Sequence, residues 1–319
     1  GELGDALDAV PGLFDRAVEA AAAVHAADAA APAVRSLLVS APLLAGRDLT
    51  EAELVDLGAG SVLQPERAAD GSLLSYFTAD ATHVVSRAKE LAVERPHGHV
   101  VKAGTDVAPD DNILSATSYV YGVFASHVVV GNTSVNRFVS VQRNHLNLLR
   151  SSGVRALVSI GGSWHLLGVP SALVMDLGGL RWVYETPAGR IDVRTTASAE
   201  GRVLEVRVDS EQPLELLVTV DVELGDHAWS AEPALDGRAL VFTADAGTDV
   251  QSHCPDLTYV LASPTGRIGD DSVLFADGEA RRTSVVTVAF EAATSASVVL
   301  TGDLEGRAPA LDAAARTLD

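Results

Sequence analysis

The side chains best suited to chemistry in this chain follow a single apolar run. Thr117–Val130 is rich in aromatic and β-branched residues and reads as a strand ending at Gly131. Asn132, Thr133, Ser134, Asn136, Arg137, Gln142, Arg143, Asn144, His145 and Asn147 then follow in close order. Amides, guanidinium groups and an imidazole at this density suit hydrogen bonding to sugar hydroxyls or to a second subunit. The same residue types also brace a long loop by bonding its backbone. Composition leaves both readings open.

Other constellations are weaker. His97 and His99 flank Gly98, and an i, i+2 pair on a strand shares one face, as a zinc site needs. No third ligand stands nearby, Glu94-Arg95-Pro96 reads as a turn, and histidines hydrogen-bonded at a strand start are the plainer reading. Cys254 follows His253, and on a strand the two would face opposite ways, so no thiolate–imidazole pair is expected. Gly161-Gly162-Ser163-Trp164-His165 lacks the spacing of a nucleophile elbow and reads as a hairpin. Neither a phosphate-binding P-loop nor a dinucleotide fingerprint is present. Asp110-Asp111 and Asp270-Asp271 read as solvated or capping residues. None of these patterns by itself marks a catalytic site, and no metal or cofactor is expected. The aromatic residues of interest are Trp164, Trp182, Tyr119, Tyr121 and Tyr184, which would stack on a sugar ring if exposed and form core if buried. Tyr119 and Tyr121 would share one strand face opposite Val120.

Bulk properties narrow the partners. The chain has 319 residues and a formal net charge of −20, and Lys89 and Lys102 are its only lysines. A phosphate-tracking surface needs a dense basic face, which argues against nucleic acid and anionic membranes. Cys254 is the only cysteine, so no internal disulfide can form, and a reducing, cytoplasmic setting is expected. No run is long enough to span a membrane as a helix. Gly1 at the start and the alanine-rich Ala308–Leu318 near the end predict a piece of a longer polypeptide.

These residues must be positioned by mostly β structure. Residues 5–45 are alanine-rich, with Leu13, Phe14, Val18 and Ala22 at helical spacing, and Thr50 and Glu53 predict a capping box. From Ser61 the period becomes two. Val218, Val220 and Val222 alternate with Thr219, Asp221 and Glu223, as on a strand with one buried face. Val203–Val208, Ala239–Ala244, Leu257–Ala262, Ser272–Ala276, Ser284–Phe290 and Ser297–Leu300 also read as strands. Gly161-Gly162, Pro187-Ala188-Gly189, Glu200-Gly201, Asp236-Gly237 and Asp277-Gly278 read as the tight turns between them. About fifteen strands joined this way predict a mainly β fold, two large packed antiparallel sheets. The expected division is a helical N-terminal segment over 1–58, a β-sandwich domain over 59–302 and the start of a linker helix over 303–319.

Several ordered motifs carry a family resemblance. They are Phe77-Thr78-Ala79-Asp80-Ala81-Thr82-His83, Ala88-Lys89-Glu90-Leu91, Tyr119-Val120-Tyr121-Gly122-Val123-Phe124, Val130-Gly131-Asn132-Thr133-Ser134, Arg143-Asn144-His145-Leu146-Asn147 and Leu166-Leu167-Gly168-Val169-Pro170-Ser171. Together they resemble the phosphorylases of glycoside hydrolase family 94, most of all the 1,2-β-oligoglucan (sophorooligosaccharide) phosphorylases, strongly over Phe77–Arg194 and more weakly to Asp319. The resemblance implies a galactose-mutarotase-like supersandwich. In such enzymes it precedes a linker helix and an (α/α)6 barrel that holds the general acid and phosphate-binding residues. It further implies phosphorolysis of β-1,2-glucooligosaccharides by inorganic phosphate to α-glucose 1-phosphate, a homodimer, and no catalytic residue in this chain. Asn132, Arg137, Arg143, Asn144, His145, Tyr121 and Trp164 are then the candidates for substrate binding or the subunit interface. The alternatives are a stand-alone carbohydrate-binding or assembly module, and a mutarotase-like enzyme using His97, His99 or His165 with a carboxylate.

Overall fold

The computed structural model describes residues 36–93, 97–103, 113–131, 136–139, 150–176, 178–198, 202–222, 228–281 and 283–319. In chain order its elements begin with Leu37–Ser40 (α1), Leu43–Leu44 (β1), Glu51–Leu57 (α2), Leu63–Arg67 (β2), Leu73–Phe77 (β3), His83–Ser86 (β4) and Arg87–Ala92 (α3). Gly98–Lys102 (β5), Leu114–Tyr119 (β6), Val123–Val130 (β7), Val154–Ile160 (β8), Ser163–Leu167 (β9), Ala172–Met175 (β10), Gly179–Thr186 (β11) and Gly189–Ala197 (β12) follow. The chain closes with Val203–Asp221 (β13), Trp229–Ala234 (β14), Ala239–Ala244 (β15), Asp249–His253 (α4), Thr258–Ala262 (β16), Arg267–Gly269 (β17), Val285–Asp303 (β18) and Arg307–Leu318 (α5).

Two strands organise the molecule. β13 and β18 are each 19 residues long and pair antiparallel along nearly their whole length. Register shifts between Asp209 and Leu216 bend the pair, so its two halves lie in different layers. In the first layer the sequence of neighbours is β2, β3, β4, β10, β11, β12, the first half of β13, the second half of β18, β16, β15 and β14. In the second layer β1, β9, β8, the second half of β13, the first half of β18 and β17 are neighbours. The β5–β6–β7 meander joins this layer through Ala125 and Val154. Apart from the parallel β1–β9 contact, the described pairings are antiparallel. The mainly β, two-sheet antiparallel sandwich is the observed architecture.

Between the layers the core is aromatic and keyed by polar atoms. Trp182 meets the edge of Phe124 at 5.1 Å and donates Nε1–H to the Tyr119 carbonyl. Phe138 stacks on Tyr259 at 4.6 Å, with Trp229 edge-on to both rings. The buried Tyr259 hydroxyl accepts from the Val130 amide and donates to the Asn136 carbonyl, so one phenol satisfies two strand-end groups.

Several local expectations change. Thr117–Val130 is a hairpin, β6 and β7, turning at Val120–Gly122, because Gly122 supplies a φ of +73°. The second half of β13 is buried on both faces. Leu217 lies under Leu38 and Ala41, and buried Asp221 accepts from the Ser284 hydroxyl. Ser272–Ala276 is no strand. Residues 271–274 form a short 3-10 turn because the Asp270 side chain accepts from Ser272 N, and buried Asp271 accepts from Arg281 N and the Thr283 hydroxyl. Asp277-Gly278 accordingly joins no hairpin. His253 lies on a helix, α4, and its ring meets the Asp249 carbonyl, while Cys254 ends that helix. Thr50 and Glu53 do form the capping box of α2. Glu200-Gly201 lies outside the described residues.

Candidate functional site

The polar segment after β7 is anchored at both ends. Near its start, Asn136 donates from Nδ2 to the Val130 carbonyl while its own carbonyl takes the Tyr259 hydroxyl. Arg137 follows it, half-buried, and Phe138 drops into the aromatic core. At the far end Arg150 donates from Nη1 and Nη2 to the carbonyls of Val39 and Ala41, tying the segment to α1. Arg155, on β8, is buried and donates from Nε to the Ser152 carbonyl and from Nη1 to the Tyr121 carbonyl. Loss of water around its guanidinium lowers its pKa from 12.5 to about 10. Among the predicted positions, Asn132, Arg143, Asn144 and His145 lie outside the described residues.

Tyr121 sits on the β6–β7 turn, which is held from two sides. The Val120 amide donates to the His97 carbonyl, and Arg155 takes the Tyr121 carbonyl. Beneath it lies a feature the sequence concealed. Glu90, on α3, is completely buried, accepts from the His97 amide at 3.0 Å and pairs with His97 Nδ1. The carboxylate thereby holds one ring nitrogen, and no described residue bonds the other. Burial, and then the charge of Glu90, push the Tyr121 phenol above its ordinary value. His83 stacks on Phe77 at 4.3 Å, and burial, aided by nearby His97, lowers its pKa below 6.5. His99 turns its Nε2 to the Asp176 carbonyl, so the two histidines of the pair have different partners. Among the described residues no three His, Cys, Asp or Glu side chains gather to hold a metal ion.

The structure thus joins Tyr121 to the exit of the polar segment through Arg155, with Glu90 and His97 beside it. Trp164 has a separate setting. It lies on β9, half-buried, in a groove of about 670 Å³ on the outer face of the second layer, lined also by Glu215, Thr265, Arg267 and Glu291. Trp182 and Tyr184 are core, and the Tyr184 hydroxyl donates to the Gly168 carbonyl. Sequence reasoning missed Glu90 and Arg155. Nothing local in the sequence marks Glu90 or Arg155 as buried. What this surface offers chemically is an oriented imidazole and a phenol, both half-buried, a set suited to hydrogen-bonding a hydroxylated ligand. No helix among the described residues is long and apolar enough to cross a membrane.

Comparisons with known proteins give the context. The chain is 34% identical over 211 residues, 65% of its length, to a 1,2-beta-oligoglucan phosphorylase of Listeria innocua serovar 6a, and it spans 19% of that relative. Among solved structures, a bacterial glucoamylase complexed with acarbose matches 70% of this chain and 38% of its own at 11% identity, with a TM-score of 0.41. A 4-alpha-glucanotransferase from Thermococcus litoralis matches 66% of this chain and 40% of its own at 11% identity, with a TM-score of 0.34. The family model for the glycoside phosphorylase supersandwich domain matches residues 63–302, and this chain belongs to that family.

Proposed function

We propose that this chain is the sandwich part of a glycoside hydrolase family 94 enzyme that phosphorolyses β-1,2-glucooligosaccharides to α-glucose 1-phosphate. The observation that carries this reading is the 34% identity to the Listeria 1,2-beta-oligoglucan phosphorylase over 211 residues. In this reading the sandwich spans 59–302, preceded by a helical segment and followed by a linker helix that begins in 303–319, and the reacting groups belong to a barrel outside the chain. The sandwich supports a homodimer and lends its polar segment to the rim of the glucan site. Support for the rim role comes from the anchoring: Tyr259 and Asn136 at one end and Arg150 and Arg155 at the other fix where the segment leaves and re-enters the fold.

The test is a linkage panel on the whole polypeptide with inorganic phosphate. Release of α-glucose 1-phosphate from β-1,2-linked oligosaccharides, and not from β-1,3- or β-1,4-linked ones, is expected. Phosphate-independent hydrolysis, or preference for another linkage, would contradict it. Arg137→Ala is expected to raise KM for the oligosaccharide or weaken the dimer in sedimentation, with stability unchanged. A mutarotase-like reading has less support at His97, because His97 itself occupies both oxygens of Glu90, so that this carboxylate is not free to act with it on a ring oxygen.

A further inference from the structure

The groove around Trp164 follows from the strand registers. Ser159 on β8 faces Trp164 on β9, and one step along the sheet Leu157 faces Leu166. Leu157 faces Leu217 on β13, Leu217 faces Ala289 on β18, and Ala289 faces Arg267 on β17. Side chains two residues apart share a face. Trp164, Glu215 and Glu291 therefore lie on the outer face, beside the row of Leu166, Leu157, Leu217, Ala289 and Arg267, and Thr265 lies in the bend just before β17. Four strand spacings of about 4.8 Å make this row roughly 19 Å long. The irregular register where β13 and β18 bend, together with the small side chains of Ala289, Ala292 and Ala293, opens the space above it.

The polar groups of this groove are unspent. Twelve ion pairs are found among the described residues, yet Glu215, Glu291 and Arg267 take part in none of them. No described residue hydrogen-bonds the Trp164 indole N–H. An indole face with two free carboxylates and one guanidinium matches a neutral polyhydroxylated ligand. The ring C–H groups pack on the indole and the hydroxyls donate to carboxylates. Two carboxylates against one guanidinium disfavour phosphate and other anions.

We propose that this groove is a binding site for a linear gluco-oligosaccharide, with Trp164 as the stacking platform, Glu215 and Glu291 accepting from hydroxyls and Arg267 donating to them. The choice of the β-1,2 linkage rests on the phosphorylase reading above. The site itself rests on the groove.

The molecule carries its own reporter. Trp182 and Trp229 are fully buried, which leaves Trp164 as the tryptophan within solvent reach. The 319-residue chain is titrated with β-1,2-, β-1,3- and β-1,4-linked gluco-oligosaccharides while tryptophan emission and acrylamide quenching are followed. A saturable emission shift with loss of quenching is expected for the β-1,2 series. Calorimetry on Glu215→Ala/Glu291→Ala, both exposed and outside the core, is expected to show affinity lower by about tenfold or more. Unchanged emission at millimolar oligosaccharide of every linkage would overturn the site, as would undiminished affinity in the double variant. An equal response to all linkages would uphold the groove and count against the β-1,2 assignment. An emission shift that follows protein concentration rather than sugar would make the groove a contact between copies and overturn the proposal.

Discussion

Single residues decide the geometry of the Tyr121 turn. Glu90 is a carboxylate with no exposed surface, balanced by the amide and ring of one histidine. Removing it strands two donors against a buried wall. Glu90→Ala is therefore expected to cost about 3 kcal/mol in urea unfolding, with the denaturant slope unchanged. An unchanged midpoint would show that the pair is no structural clamp. His83 gives a pH-dependent counterpart. Burial favours its neutral form and lowers its folded pKa below the unfolded 6.5. Its contribution to stability is thus present above pH 6.5 and lost as pH falls through the folded value. An NMR titration is expected to place the His83 midpoint below 6.5, and a midpoint above 6.5 would reverse the assignment. Neither feature could be read from the sequence. Nothing in Lys89-Glu90-Leu91 marks the carboxylate as buried, and its burial and its bonds to His97 are tertiary.

At the scale of elements, local rules were legible and long-range ones were not. The α2 capping box was readable because Thr50 and Glu53 satisfy each other's backbone within three residues. Thr50→Ala is expected to destabilise the protein by about 1 kcal/mol. Arg47 and the Thr50 groups hold the Glu53 carboxyl down to about 2. The cap is therefore intact above about pH 4.5 and lost as pH drops towards 2, and amide exchange in α2 should speed up over that window. Gly161-Gly162 was readable too, since both residues adopt the positive φ of a tight hairpin. The length of β13 was not. Ser210–Pro213 looks like a break, yet the strand continues because β18 bends alongside it and the bulge leaves Pro213 exposed. Gly122 joins the two scales. A Cβ there would lie 2.4 Å from the Leu167 carbonyl oxygen at a φ of +73°. Gly122→Ala is expected to cost about 2 kcal/mol or more, and thermal unfolding will show it.

For the whole molecule, alternation and turn spacing were enough to read a mainly β sandwich, while the bend that carries β13 and β18 through both layers is a property of paired strands that no single segment reveals. The candidate site was legible only in part. The polar segment stood out by composition, but the hold that Arg155 keeps on Tyr121 depends on tertiary contacts, and the Trp164 groove needs five strands in register. The sandwich supplies shape, anchoring and hydrogen-bonding groups, and the proposed chemistry lies beyond it. The most direct test compares the full-length polypeptide with the 319-residue chain, both given β-1,2-glucooligosaccharides and inorganic phosphate. α-Glucose 1-phosphate is expected from the full-length protein and none from the chain. Release by the chain alone, or no release by the full-length protein, would contradict it.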